Sequence, residues 1–201
     1  MKFYKSGALI SKKLYLPSLY MALIHYPVVN KNGEIITSAV TNLDLHDIAR
    51  AGKTYGVKGF YVVTPLSDQK ELVGEITSHW IKGAGAEYNP KRRDALELIK
   101  IKDSIEEVKN DIAALSKIMP KTVVTCASSN AGSIDYRSFR ELLKDGRTYL
   151  LLFGTAWGLG REVILEADYI LDPIKGVTAY NHLSVRSAAA IILDRLAGTG
   201  F

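Results

Sequence analysis

Apolar and polar residues fall in alternating blocks along the chain, and the period of each block predicts an element. LYMALIHYPVV (19–29) is a nearly unbroken apolar run rich in β-formers, closed by the turn NKNGE, which predicts a buried strand. DLHDIARAGKTYG (44–56) predicts a helix closed by Gly56, and GFYVVTP (59–65) a short buried strand stopped by Pro65, so the three form a βαβ unit. Ser67 to Lys82 predicts a second helix, with Leu72, Val73, Ile76 and Trp80 on one face and Ser67-Asp68 as its amino-terminal cap.

GAGAEYNPKRR (83–93) predicts a loop from its glycines and its Asn-Pro pair. Beyond it a long helix is expected to reach Met119, because Ile101, Ile105, Val108, Ile112 and Leu115 recur at spacings of four and three. KTVVTCASS (121–129) predicts a strand running into small residues, and YRSFRELLKDG a helix ending at Gly146. TYLLLFG (148–154) is the most continuously apolar strand, as expected of one covered on both faces. REVILEA then predicts a short helix, DYILDPI a short strand and bend, and HLSVRSAAAIILDRLAG (182–198) a final helix. This alternation predicts an α/β fold, a mainly parallel sheet with helices on both faces. Ligands of such sheets sit beyond the carboxyl ends of the strands, where TCASS, FGTAWGLG and LDPIKGVTAYNHLS fall.

Composition narrows the class. Hydrophobic residues are 47% and charged ones 23% of 201 residues, ordinary globular usage, and no apolar run reaches the roughly 18 residues of a spanning helix. The first residues lack the apolar core of a secretion signal, so the expectation is a single cytoplasmic domain over 1–201, with 1–13 a loosely attached segment. One cysteine, Cys126, excludes an internal disulfide, and four scattered histidines offer no metal-ligand spacing, so no metal is expected. The net charge of +5 permits a polyanionic partner such as RNA without requiring one.

The glycines of LLFGTAWGLG (151–160) fit neither the dinucleotide fingerprint nor the phosphate loop. The first two loops carry no charge before Arg161, and the third only Asp172 and Lys175. A mostly neutral ligand held by main-chain groups, such as an adenine moiety, suits these loops; three ordinary tight turns are the alternative.

YLLLFGTAWGLGREV followed by GVTAYNHLSVRSAAAIILDRL resembles the last two motifs of the SPOUT superfamily of S-adenosylmethionine-dependent RNA methyltransferases, nearest to bacterial domains related to the tRNA guanine-N1 methyltransferases. The resemblance is strongest over 121–197 and implies a carboxyl-terminal deep trefoil knot, S-adenosylmethionine bound in the knot loops, and a homodimer with its site at the subunit interface. By position it implies donor contacts from Thr125, Ala127 and Ser128; from Phe153, Gly154, Thr155 and Gly158; from Ile170, Leu171 and Pro173; and from Tyr180, Asn181, Leu183, Ser184 and Ala188.

Methyl transfer to a ring nitrogen or hydroxyl needs alignment and the removal of a proton. TNLDLHDIAR offers Asn42, Asp44, His46 and Arg50 as catalytic candidates; equally, Asp44 reads as a helix cap, with His46 and Arg50 on a solvated face. The superfamily pairs an Asn with a nearby Arg across a Gly; here the interval from Asn42 to Arg50 is eight and the Gly is missing. In EYNPKRR, Tyr88 could stack on a base and Lys91, Arg92 and Arg93 could hold phosphates. Cations in a helix's first turn oppose its dipole, which favours an anion-binding use. Cys126 reads as a small apolar filler rather than a nucleophile, and Trp157 as a cover for the ligand or an interface residue. The leading expectation is an RNA methyltransferase acting on tRNA or rRNA. The alternatives are an RNA-binding or assembly factor that keeps the donor pocket without turnover, and an α/β enzyme with another adenine-bearing cofactor.

Overall fold

TYLLLFG forms β7 (Thr148–Gly154), buried from Thr148 to Phe153, inside a six-stranded sheet. The structure, a computed structural model, describes residues 17–128 and 132–199; the expected loose segment 1–13 and Ser129 of TCASS lie outside the described residues. The other five strands are β1 (Ser18–Ile24), β4 (Phe60–Val63), β5 (Ile99–Lys102), β6 (Lys121–Thr125) and β8 (Tyr169–Leu171). Their order is β5-β4-β1-β7-β6-β8, and every pairing is parallel.

Strand side chains alternate between two apolar layers. Leu19, Met21, Leu23, Tyr149, Leu151 and Phe153 join α1 (Asn42–Thr54), α2 (Ser67–Ile81), α4 (Pro90–Leu96), α6 (Tyr136–Leu142) and α8 (Val185–Ala197) on one face. Tyr20, Ala22, Ile24, Leu150 and Leu152 join α5 (Ile105–Ser116) and α7 (Arg161–Leu165) on the other. Helices therefore cover both faces, which is why β1 and β7 are apolar throughout.

Several boundaries differ from the sequence reading. The apolar run 19–29 is two strands: His25, Tyr26 and Pro27 leave the sheet, and β2 (Val28–Val29) pairs antiparallel with β3 (Ile35–Ile36) as a small separate hairpin. The loop expected over 83–93 is instead α3 (Ala84–Tyr88) and the start of α4, whose first turn is capped by the Asn89 side chain. The expected long helix holds a strand, β5, because Ile99 and Ile101 alternate with Lys100 and Lys102 at strand period; Ser104 then caps α5. Lysines on that edge strand discourage pairing with another chain. Ser67 and Asp68 do not cap α2; the cap position is Leu66, without a side-chain bond.

On the α5 face the Tyr61 hydroxyl donates to Asp111 Oδ2 at 2.7 Å, and Lys100 and Lys102 reach the same carboxylate at 2.9 and 3.2 Å. These partners, the Tyr61 hydroxyl first, hold the Asp111 carboxyl down at about 2 and tie α5 to β4 and β5. Tyr61→Phe is expected to lower stability by about 1 kcal/mol, read as a shift of the denaturant midpoint at unchanged slope.

Candidate functional site

The carboxyl ends of β6 and β7 open onto a cavity of about 710 Å³, within the usual size of a small-molecule site. Its walls are residues 125–128 after β6, 153–159 after β7, and 181–185 with Ala188 and Ile192 at the entry to α8, joined by Ser38, Ala39, Thr41 and Asp44 from the approach to α1. The loop after β7 is fixed by main-chain bonds. The Thr155 amide and hydroxyl both donate to the Ile24 carbonyl, the Trp157 amide donates to the Val29 carbonyl, and the Val29 amide donates to the Gly158 carbonyl. A Cβ on Gly154 would lie 2.7 Å from the Leu159 nitrogen and 3.0 Å from the Gly158 carbonyl carbon, so only glycine fits this crossing. Gly158, at φ +114°, has a second glycine-demanding geometry. Across the cavity, Asn181 Nδ2 donates to the Ala127 carbonyl at 2.7 Å and ties the approach to α8 to the loop after β6.

Of the expected donor contacts, Thr125, Ala127, Ser128, Phe153, Gly154, Thr155, Gly158, Asn181, Leu183, Ser184 and Ala188 all line this cavity. Ile170, Leu171, Pro173 and Tyr180 do not; Leu171 is turned into the core, Tyr180 is exposed, and Ile174 takes the wall position on that side. Trp157 and Cys126 also line it. Sequence reasoning missed Ser38, Ala39 and Thr41. The one available signal was the run of small and hydroxyl residues TSAVT directly before α1.

Asp44 is the one Asp, Glu, Lys or Arg on the cavity wall among the described residues. It does not cap α1; Thr41 does, accepting from the Asp44 amide while its hydroxyl donates to Asp44 Oδ2 at 2.5 Å. Arg186 of α8 donates to Asp44 Oδ1 at 3.2 Å. Asn42 is exposed at the start of α1, His46 packs against the Trp80 ring, and Arg50 is exposed, so none of the three lines the cavity.

Behind the wall, Thr155 Oγ1 donates to the Ile24 carbonyl, so it accepts from Ser38 Oγ at 2.5 Å. Ser38 Oγ in turn accepts from His25 Nδ1–H at 2.9 Å. This row of donors places a proton on His25 Nδ1, and the buried Nε2, which has no hydrogen-bond partner, favours the neutral ring. Burial pushes its pKa down to about 4, against a smaller opposing pull from Asp44.

The expected RNA-contacting residues form a separate surface. Tyr88 is exposed at the end of α3 and Lys91 is exposed on α4. Arg92 lies 4.4 Å over the Trp80 ring, and Arg93 is paired with Asp94 and Glu97. His46, edge-on to Trp80, has its pKa lowered by burial first and then by Arg92. No helix among the described residues is long and apolar enough to cross a membrane, and no group of three or more metal-ligating side chains occurs among them.

Residues 18–198 match the model of a family described as SAM-dependent RNA methyltransferase. Two curated relatives, each named tRNA (guanine-N(1)-)-methyltransferase, come from Oleidesulfovibrio alaskensis and Nitratidesulfovibrio vulgaris. They are 44% and 47% identical over 181 residues, which is 90% of this chain and 42% of each relative. The chain thus spans about two fifths of the length of the curated relatives it matches. Among solved structures, a TrmH/SpoU tRNA modifying enzyme from A. aeolicus superimposes with a TM-score of 0.53 at 17% identity, covering 90% of this chain and 74% of that one. At that identity the likeness extends to the fold.

His25 makes stability depend on pH. Unfolding restores an ordinary imidazole near 6.5, so the unfolded state binds more protons between that value and about 4. Stability is complete above about pH 6.5 and falls by about 3 kcal/mol as the pH drops towards 4. Denaturant titrations at pH 7 and pH 5 should show about 2 kcal/mol of that loss, and a His25→Gln variant should lack this component of it.

Proposed function

Because the chain belongs to the SAM-dependent RNA methyltransferase family, we propose that the cavity binds S-adenosylmethionine and that the chain transfers its methyl group to RNA. The observation that carries this reading is the cavity itself: a main-chain cradle that excludes a Cβ at Gly154, in walls with a single ionisable carboxylate. A donor with one aromatic base and one cationic centre suits that combination. When bound, the donor supplies an electrophilic methyl group on a sulfonium. Main chain at 153–158 and 125–128 holds the adenosyl portion, Asn181 and Ser184 close the side towards α8, and Phe153 and Leu183 supply apolar wall. Asp44 takes the proton that the acceptor nitrogen or hydroxyl loses as its new bond to carbon forms. Thr41 orients that carboxylate through its 2.5 Å hydrogen bond.

RNA is the acceptor on this reading, with tRNA or rRNA as the class. The relatives' name supports tRNA, but the shared segment is 42% of their length, so the guanine N1 position is not assigned to this chain. Tyr88 and Lys91 meet the RNA, with Arg92 held on Trp80 beside them. The domain is proposed as one methyltransferase unit, with a trefoil knot formed where α8 follows the loop after β7. Support comes from the shared cavity wall of those two segments and from the TrmH/SpoU-like fold. Exposed Leu43, Trp157, Tyr180 and Leu183 gather around the cavity and α1 and support a homodimer covering the mouth. A reducing cytoplasm suits both the RNA acceptor and the lone Cys126.

One observation favours a second reading, a factor that binds donor and RNA without turnover. Arg50, the arginine expected beside Asn42, is exposed and lies off the cavity.

Calorimetric titration should give measurable affinity for S-adenosylmethionine and none for NAD, and absence of binding by the first would sink the donor reading. Gly154→Ala should weaken donor binding by about ten-fold or more, because the added carbon meets backbone that cannot move aside cheaply. With tritiated donor and total RNA from a strain lacking the protein, wild type should label RNA and Asp44→Asn should label it about a hundred-fold more slowly. Donor binding without any label would favour the binding factor.

A further inference from the structure

The motif that contains Arg186 gave it no role, yet the residue occupies an electrostatically costly place. It sits in the first turn of α8, beside Val185 and near Ala188, which both line the cavity, and no acidic residue shares that turn. A cation there faces the positive end of the helix dipole. What holds it is α1: Nη1 is 3.2 Å from Asp44 Oδ1 and Nε is 3.6 Å from Asp47 Oδ2. Side-chain exposure falls from 50% at Asp47 through 37% at Arg186 to 10% at Asp44. Alternating charges therefore run from solvent to the cavity wall, and the innermost is the wall's one carboxylate.

Charge acts strongly at Asp44, whose side chain is only 10% exposed and is poorly screened by water. An unopposed carboxylate on the wall would favour a cationic ligand over a neutral one of the same shape. The methyl donor and its product differ in that way: the sulfonium becomes a neutral thioether once the methyl group has gone. Over-stabilising the cation would lower the ground state more than the transition state, in which that charge is already dispersing. We propose that Arg186 is a positioning residue that orients Asp44 and offsets its field, and so sets how strongly the site prefers the cationic donor to its neutral product. This rests on reading the cavity as the donor site.

The test is the ratio of the affinities for S-adenosylmethionine and S-adenosylhomocysteine, measured calorimetrically on folded protein. Arg186→Gln should raise the preference for the donor about three-fold or more, and Asp44→Asn should lower it by a similar factor. Arg186→Lys, which keeps the charge, should stay within about two-fold of wild type. The double variant Asp44→Asn/Arg186→Gln removes both charges nearest the cavity, leaves only the half-exposed, water-screened Asp47 without its partner, and should return close to the wild-type ratio. A merely structural bridge between α1 and α8 would lower the melting temperature and weaken both ligands alike. An unchanged ratio in Arg186→Gln overturns the proposal. Should that variant not fold, an unchanged ratio in Asp44→Asn overturns it instead. Wild-type protein that binds neither ligand fails the donor reading itself, a different result from wild-type binding with invariant ratios.

Discussion

The parallel pairing of β1 with β7 is the contact on which the rest of the molecule depends. It aligns Ser18 with Thr148 and ends with Ile24 against Gly154, joining segments 130 residues apart. The ladder does not stop at the strand ends. The Ile24 carbonyl continues it by accepting the Thr155 amide and hydroxyl, and the hairpin that follows β1 accepts and donates to the loop after β7. The sheet thus extends into its own ligand loop, and the cavity floor is as firmly bonded as the core. Gly154 marks the price of that continuity, since its loop doubles back within van der Waals distance of its own backbone.

The most legible parts of the sequence were those whose signal is local. TYLLLFG is β7 residue for residue, and the helix expected over 182–198 is α8, begun three residues later, because strand and helix periodicity need only neighbours. The cavity loops after β6 and β7 were legible for a related reason: their glycines and small residues answer to main-chain geometry within the loop. The stretch 94–119 misled because Ile101 and Ile105 are spaced as on a helix while belonging to two different elements, a strand and the helix after it. Ser38 and Arg186 were illegible for a third reason. Each acquires its role from a partner far along the chain, Thr155 for one and Asp44 for the other, and no local pattern encodes such a meeting.

Charge is divided between surface and cavity. The chain carries five more basic than acidic residues, yet among the described residues the cavity wall holds no lysine or arginine, and its one carboxylate is answered from outside by Arg186. Unpaired positive charge such as Lys91 therefore lies on the exterior, while the cavity offers shape and main-chain hydrogen-bonding groups. On the function proposed above, such separation lets a large acidic acceptor be gathered without its phosphates competing for the donor's pocket.

The sheet order has a consequence for the birth of the molecule on the ribosome. β1 can pair with β4 soon after both emerge, since Met21 needs only Phe60, but its other edge waits for Thr148 to Gly154. Until then an apolar strand presents an open row of amides and carbonyls to the crowded cell. Insertion of β7 closes that edge, and only then can the loop after it meet Ile24, Val29 and Ser38. Ligand-binding competence is thus a late event in the life of each nascent chain, and the half-made sheet is the species most in need of a chaperone's shelter.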